Sequence, residues 1–243
     1  MTGLEKKQLH DKRKFAAISA CSLVVFFGVW HLATAVMHLM PDYCLPSPLQ
    51  VLEAFIYKLN HKAPDGGTLF QHILASLKVA LSGYLLGAVI GIPLGICMAW
   101  FRRIDLFVTP LFDLVRPVPT IAWIPLMILW FGIGLGAKAA IIFVSAFIPC
   151  VINSYTGIKL TNKTLINVSR TFGASNAEIF WKVGVPSSLP MVFAGIRVAL
   201  GNSWSTLVAA EMLAASAGLG YMIQIGRTVA RPDIVIVGMV VIG

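Results

Sequence analysis

Ser169 to Pro186, SRTFGASNAEIFWKVGVP, is a polar island between two apolar stretches, each long enough to cross a bilayer. It reads as two short helices joined by a tight corner. Gly173 suits the position just past a helix end, where a left-handed backbone is needed and a Cβ is penalised. Ala174 follows, and Ser175-Asn176-Ala177-Glu178 then matches a capping box. In such a box the serine hydroxyl covers the next turn's amides and the glutamate reaches back. Gly184-Val185-Pro186 is expected to stop the second helix before Leu189 re-enters lipid. A rigid helix-corner-helix at a membrane surface is a docking knob. It carries no paired acids, Cys/His ligands or activated nucleophile, so no catalytic residue, metal site or cofactor is expected.

Composition fits a membrane-embedded partner subunit. The 243 residues are 58% hydrophobic and 12% charged, with mean hydropathy +0.84. A soluble domain carries about 25% charged residues, so most of this surface must face lipid or apolar protein. The formal charge of +9 does not form a basic stripe with interleaved aromatics, which argues against nucleic acid. The basic residues cluster instead at the ends of apolar segments, as orientation signals do. Cys21, Cys97 and Cys150 lie inside apolar runs and Cys44 beside a Pro-rich loop. That spacing suits neither disulfides nor a metal, and the default is buried small hydrophobes.

The basic residues also set an expected topology. Residues 1–14, with Lys6, Lys7, Lys12, Arg13 and Lys14, form a cytoplasmic N-terminus, and residues 15–40 a first transmembrane helix. That run is longer than the roughly 7–15 residues of a signal-peptide core. Residues 41–73 are an extracytoplasmic segment whose stretch from Val51 to Leu59 is amphipathic and interfacial. Residues 74–243 form the core. A second span from about Leu74 to Trp100 meets Arg102-Arg103, and a proline-interrupted third runs from Leu106 to Phe131. Gly132 to Gly136 makes an outer turn, Ala137 to Ile158 a fourth span, and residues 159–188 a basic cytoplasmic loop. The fifth span is Leu189 to Ala215, and a sixth begins near Pro232. Only Arg227 and Arg231 run against this arrangement. About a dozen residues follow Pro232 where a crossing needs roughly 20, so either the chain supplied ends early or the last helix is incomplete.

Several residues invite a functional reading. Gly132-x-Gly134-x-x-Ala137-Lys138 imitates a phosphate loop, but Lys138 lacks a glycine before it and a hydroxyl after it, and no strand precedes it. The chain therefore carries no energy source of its own. Gly83, Gly87, Gly91 and Gly95 recur every four residues and give the second span a smooth ridge for helix packing. Arg116, Arg197 and Glu211 sit at membrane depth, where ionisable groups pair or line a solvated path. Pro117 and Pro119 free backbone carbonyls beside Arg116, which is tolerated only inside protein or by a cavity. Snorkelling to the cytoplasmic face is the alternative for both arginines. His31, His38 and His72 lie near outer span ends and are read as interfacial.

The island resembles the "EAA" loop of bacterial ABC-importer permeases: Glu-Ala-Ala, three residues, Gly, nine residues, Ile, one residue, Leu-Pro. Gly173 takes the glycine, Val183 and Val185 the aliphatics, and Pro186 the proline. The Glu-Ala-Ala positions fall on Asn167, Val168 and Ser169, a departure that removes the carboxylate. The resemblance narrows to the nitrate/sulfonate/taurine subfamily through Leu45 to Pro48, Arg116 to Pro125, Leu129 to Gly134 and Trp204 to Glu211. It implies an all-α type I ABC-importer permease fold with about six transmembrane helices in the bacterial inner membrane. It implies no enzyme activity: ATP hydrolysis belongs to two copies of a separate ATP-binding subunit. A second permease copy and an extracytoplasmic substrate-binding protein complete the expected assembly. Asn167, Ser169, Gly173, Ala174, Ser175, Glu178, Val183 and Pro186 would then couple to the ATPase, and Arg116, Pro117, Pro119, Trp123, Arg197, Trp204 and Glu211 would line the path. The implied cargo is taurine or another organosulfonate, with a nitrate- or bicarbonate-type anion as the alternative. A secondary transporter would favour several mid-depth carboxylates and paired repeats, and an enzyme a catalytic constellation. Neither pattern is present.

Overall fold

The computed structural model describes residues 3–243, whose regular structure is all helical, with no strand among them. Contacts divide the chain into two units, Leu69–Tyr221 and a second made of Met1–Thr68 with Met222–Gly243.

The larger unit is built on three long helices. Helix α3 (Leu69–Trp100) lies along α6 (Leu135–Lys159), and α9 (Val185–Ala214) packs on both. The four-residue glycine repeat is the reason α3 and α6 approach so closely. A Cβ at Gly83 would stand 2.6 Å from the Ala139 carbonyl oxygen, and one at Gly87 2.6 Å from the Ala146 Cβ. Gly91 meets Cys150 at 3.0 Å, and Gly95 meets the Val151 carbonyl. In lipid there is little hydrophobic gain from joining two helices, so close backbone packing supplies much of the attraction. Ser145 and Thr206 add a buried hydroxyl pair at 3.0 Å between α6 and α9.

Between α3 and α6 the chain runs through α4 (Arg102–Val115), a 3₁₀ turn (Thr120–Trp123) and α5 (Ile124–Phe131). The two arms meet at 84°. Pro117 and Pro119 fall in the break, where a proline neither donates to a helix nor lets its predecessor stay helical. The sequence reading of an interrupted third region thus becomes a sharply broken one.

Helix α7 (Lys163–Thr171) and α8 (Asn176–Ile179) form the island. Its expected second boundary is corrected. The chain does not stop at Pro186: α8 passes through a π turn (Phe180–Gly184) straight into α9, giving one apolar helix over Asn176–Leu213. A widened turn directly before Pro186 makes room for a ring that lacks an N–H and crowds the preceding carbonyls. At about 1.5 Å per residue these 38 residues reach about 57 Å, nearly twice a bilayer's apolar thickness, so the helix protrudes.

In the smaller unit, α1 (Gly3–His31) ends in a π turn at Leu32–Val36, not at Met40 as expected. Its helix takes in most of the basic N-terminus. Helix α2 (Pro48–Asn60) carries a complete capping box on Ser47 and Gln50. The interfacial reading of this helix misses Lys58. That side chain is 0% exposed, and its ammonium donates to Asp65 at 2.6 Å and to the Gly67 carbonyl at 2.7 Å. The lysine thereby folds residues 61–67 back over α2. After α10 (Leu219–Thr228) comes α11 (Pro232–Ile242), about 16 Å long by its rise. Arg231, which opposes the expected orientation, is paired with Asp233 at 2.6 Å, which offsets its charge and pushes its pKa up.

Among the described residues four single helices are long and apolar enough to span a membrane, or five spans with the broken pair, against about six expected. Helix α11 occupies the sixth place. The cysteine expectation holds for Cys150 alone in full: Cys97 is half-buried, while Cys21 and Cys44 are exposed.

Candidate coupling island and membrane-depth residues

The corner after α7 is a Schellman motif. The Gly173 amide donates to Arg170 and the Ala174 amide to Ser169, and Gly173 sits at φ +81°. That left-handed conformation favours glycine. Nothing lies within 4 Å of a Cβ built there, so the requirement is conformational rather than steric. Ser175 and Glu178 cap each other reciprocally, and Lys182 lies 3.4 Å from Glu178. The island's polar residues Asn167, Ser175 and Glu178 are exposed, Ser169 and Ala174 half-buried. Phe172 is 86% exposed and Trp181 66% exposed, an apolar offering on a polar knob.

The island's base is fixed to the spans by contacts that sequence reading missed. Phe180 packs between Trp100 and Phe101, with ring centroids at 5.3 and 5.8 Å. A Cβ on Gly184 would meet the Trp100 ring at 2.9 Å. Gly184 reads in sequence as a helix breaker, but its function is close approach. Thr161 and Ser187 join the two ends of the basic loop at 2.7 Å. Val183 is half-buried beside this seam and Pro186 exposed.

The membrane-depth residues do not converge within one chain. Arg116, beside Asp113 at 3.4 Å, is exposed in a groove of about 330 Å³ between α4 and α6. Arg197 and Trp204 line another groove, of about 440 Å³, with Tyr84 and Ser203. Trp123 packs on a core of Ile124, Met127, Ala137, Ile141 and Ala210, and its indole N–H is buried with no acceptor. Pro117 and Pro119 are exposed at the bend.

Glu211 is 1% exposed and held on every side. The Ser76 hydroxyl lies 2.8 Å from both its oxygens, and the Gly220 amide donates to it at 3.0 Å. Gly218, at φ +129°, packs its Cα against the carboxylate, where no Cβ would fit. Leu219 donates to Ser76, and Gly218 donates to His72 Nδ1. His72 is therefore a buried partner in this network, 1% exposed, and not the interfacial residue expected. Lys138, the false phosphate-loop lysine, is buried in α6 and adds positive potential at Glu211.

These features match known proteins. Residues 91–242 fit the family described as "Binding-protein-dependent transport system inner membrane component". The chain belongs to that family. It is similar to the taurine transport system permease protein TauC of Escherichia coli, at 35% identity over all of this chain and 90% of that one. It is also similar to the putative aliphatic sulfonates transport permease protein SsuC of Escherichia coli. That match is 35% identical and covers 88% of this chain and 79% of the other. Among solved structures, inward-facing conformations of the MetNI methionine ABC transporter share the fold, with TM-score 0.56 and 19% identity over 72% of this chain and 89% of that one. The chain is thus an ABC-importer permease, a multi-pass inner-membrane transport subunit whose ATPase is a separate protein.

Proposed function

We propose that this permease imports taurine or a related organosulfonate. Two copies pair with two ATP-binding subunits and receive cargo from an extracytoplasmic binding protein. The observation that carries the substrate reading is the full-length similarity to permeases named for taurine and aliphatic sulfonates. The exposed guanidiniums of Arg116 and Arg197 support it physically, because an anion crossing the membrane needs positive potential along its way. Trp204 beside Arg197 offers an apolar face to a short alkyl chain. The distribution of Lys and Arg supports a cytoplasmic N-terminus and island. The island, set on the end of α3 through Trp100, Phe180 and Gly184, is the part that meets the ATPase. Uptake into vesicles carrying the complete complex and its own binding protein tests the cargo. Taurine or an alkanesulfonate should be transported and should compete with one another. Robust nitrate uptake with no response to taurine would contradict the reading.

A further inference from the structure

A pocket of about 680 Å³ opens beside the island, lined by the chain around Trp100–Arg103, by Ile158–Lys163 and by Ile166 and Arg170 of α7. Five of its side chains are cationic, Arg102, Arg103, Lys159, Lys163 and Arg170, and none is acidic. Three of the five sit where helix stability argues for the opposite charge. Arg102 and Arg103 are the first two residues of α4, whose N-cap Phe101 offers no side-chain acceptor, and Lys163 is the first residue of α7. Helix N-termini are positive and stabilise anions, so cations there are locally unfavourable. Together, the unpaired amides of α4 and the side chains aim positive potential into one space.

The acids nearby engage only Lys159 of the five. Asp105 in the first turn of α4 is taken by Thr109 at 2.8 Å and Tyr155 at 3.2 Å. It also draws Lys159 to 3.6 Å, and that ammonium lies over the Tyr155 ring. Glu178 is occupied by Ser175 and Lys182. Among the described residues no ion pair engages Arg102, Arg103, Lys163 or Arg170.

We propose that this pocket binds the phosphate headgroup of an anionic phospholipid. The apolar part of the lining decides for a lipid over a soluble anion. Trp100 and Ile158 are the last apolar residues of two long spans and Phe101 follows the first, so acyl chains would continue along α3 and α6 while the headgroup meets the cations. Basic pockets between transmembrane helices at a membrane border recognise headgroups in this way. A bound lipid bridges the ends of α3, α4 and α6 to α7, and so braces the island on its membrane side. The inference rests on α3 and α6 spanning the membrane, and not on the cargo or on ATPase coupling.

Native mass spectrometry of the full chain tests it, with phosphatidylglycerol compared against phosphatidylcholine. The double variant Arg102→Gln/Arg103→Gln removes two exposed cations from the pocket. Lys78→Gln makes the same kind of change near the other end of α3. Wild type and Lys78→Gln should both retain phosphatidylglycerol in preference. The double variant should bind it roughly 25-fold more weakly, at roughly five-fold per surface cation. Melting temperature is the second readout: phosphatidylglycerol should raise that of wild type more than phosphatidylcholine does, and that of the double variant no more. Equal retention of the two lipids, or an undiminished preference in the double variant, overturns the proposal. Displacement of phosphatidylglycerol by matched inorganic phosphate overturns the lipid source. Its release on adding the ATPase subunit hands the cations to a protein partner, and overturns it equally.

Discussion

Gly173 holds φ at +81° with open space where its Cβ would be, so a substitution there strains the corner without disturbing its neighbours. Valine, β-branched, resists this conformation most, at about 1–3 kcal/mol. Gly173→Val is expected to accumulate normally yet lose ATPase co-purification or ATP-driven uptake. Wild-type assembly and uptake in that variant would show that the corner does not couple. Glu211 and Arg116, grouped together in the sequence reading, separate by burial. Glu211→Ala leaves the Ser76 hydroxyl and the Gly220 amide without an acceptor in a dry site, about 1–3 kcal/mol for each orphan. Its abundance should fall in fluorescence-detected size exclusion. Arg116 is exposed and pairs with Asp113, a contact of about 0–1 kcal/mol. Arg116→Ala should therefore keep its abundance and lose transport; matched losses would assign it a structural role.

At the scale of elements, the α3–α6 seam is the most constrained feature. Gly87→Ala places a methyl 2.6 Å from the Ala146 Cβ and 2.9 Å from backbone, so two rigid helices must part, at about 1–3 kcal/mol. Gly201 in α9 has nothing within 4 Å, and Gly201→Ala should be neutral or stabilising by up to about 1 kcal/mol. Thermal stability in detergent separates the two; equal melting temperatures would mean the seam is looser than its geometry. The glycine ridge, the Gly173 corner and the Ser175–Glu178 cap were legible because each is a local rule written in a few adjacent or regularly spaced residues. Pro186 was misread for the same reason. A proline signals a break locally, but a π turn upstream accommodates it while a long apolar helix continues. Lys58 and His72 were missed because their partners, Asp65 with Gly67 and Gly218, lie outside their own helices. Their places in the sequence, Lys58 in an amphipathic stretch and His72 near a span end, marked them as interfacial, and only the folded chain brings an acceptor or donor to them.

The whole molecule is a set of apolar helices that carries a polar island. Family membership places its energy source in a separate ATPase subunit. Among the described residues four single helices and one broken pair are long and apolar enough to span, and the broken pair shows how an apolar run interrupted by prolines folds into two arms. As proposed, the island transmits work from an ATPase on its own side of the membrane. Proteoliposomes holding the permease with its ATPase, with binding protein outside and ATP trapped inside, measure this directly. Organosulfonate uptake should require both the binding protein and internal ATP. Uptake by the permease alone, driven by an ion gradient and indifferent to ATP, would contradict it.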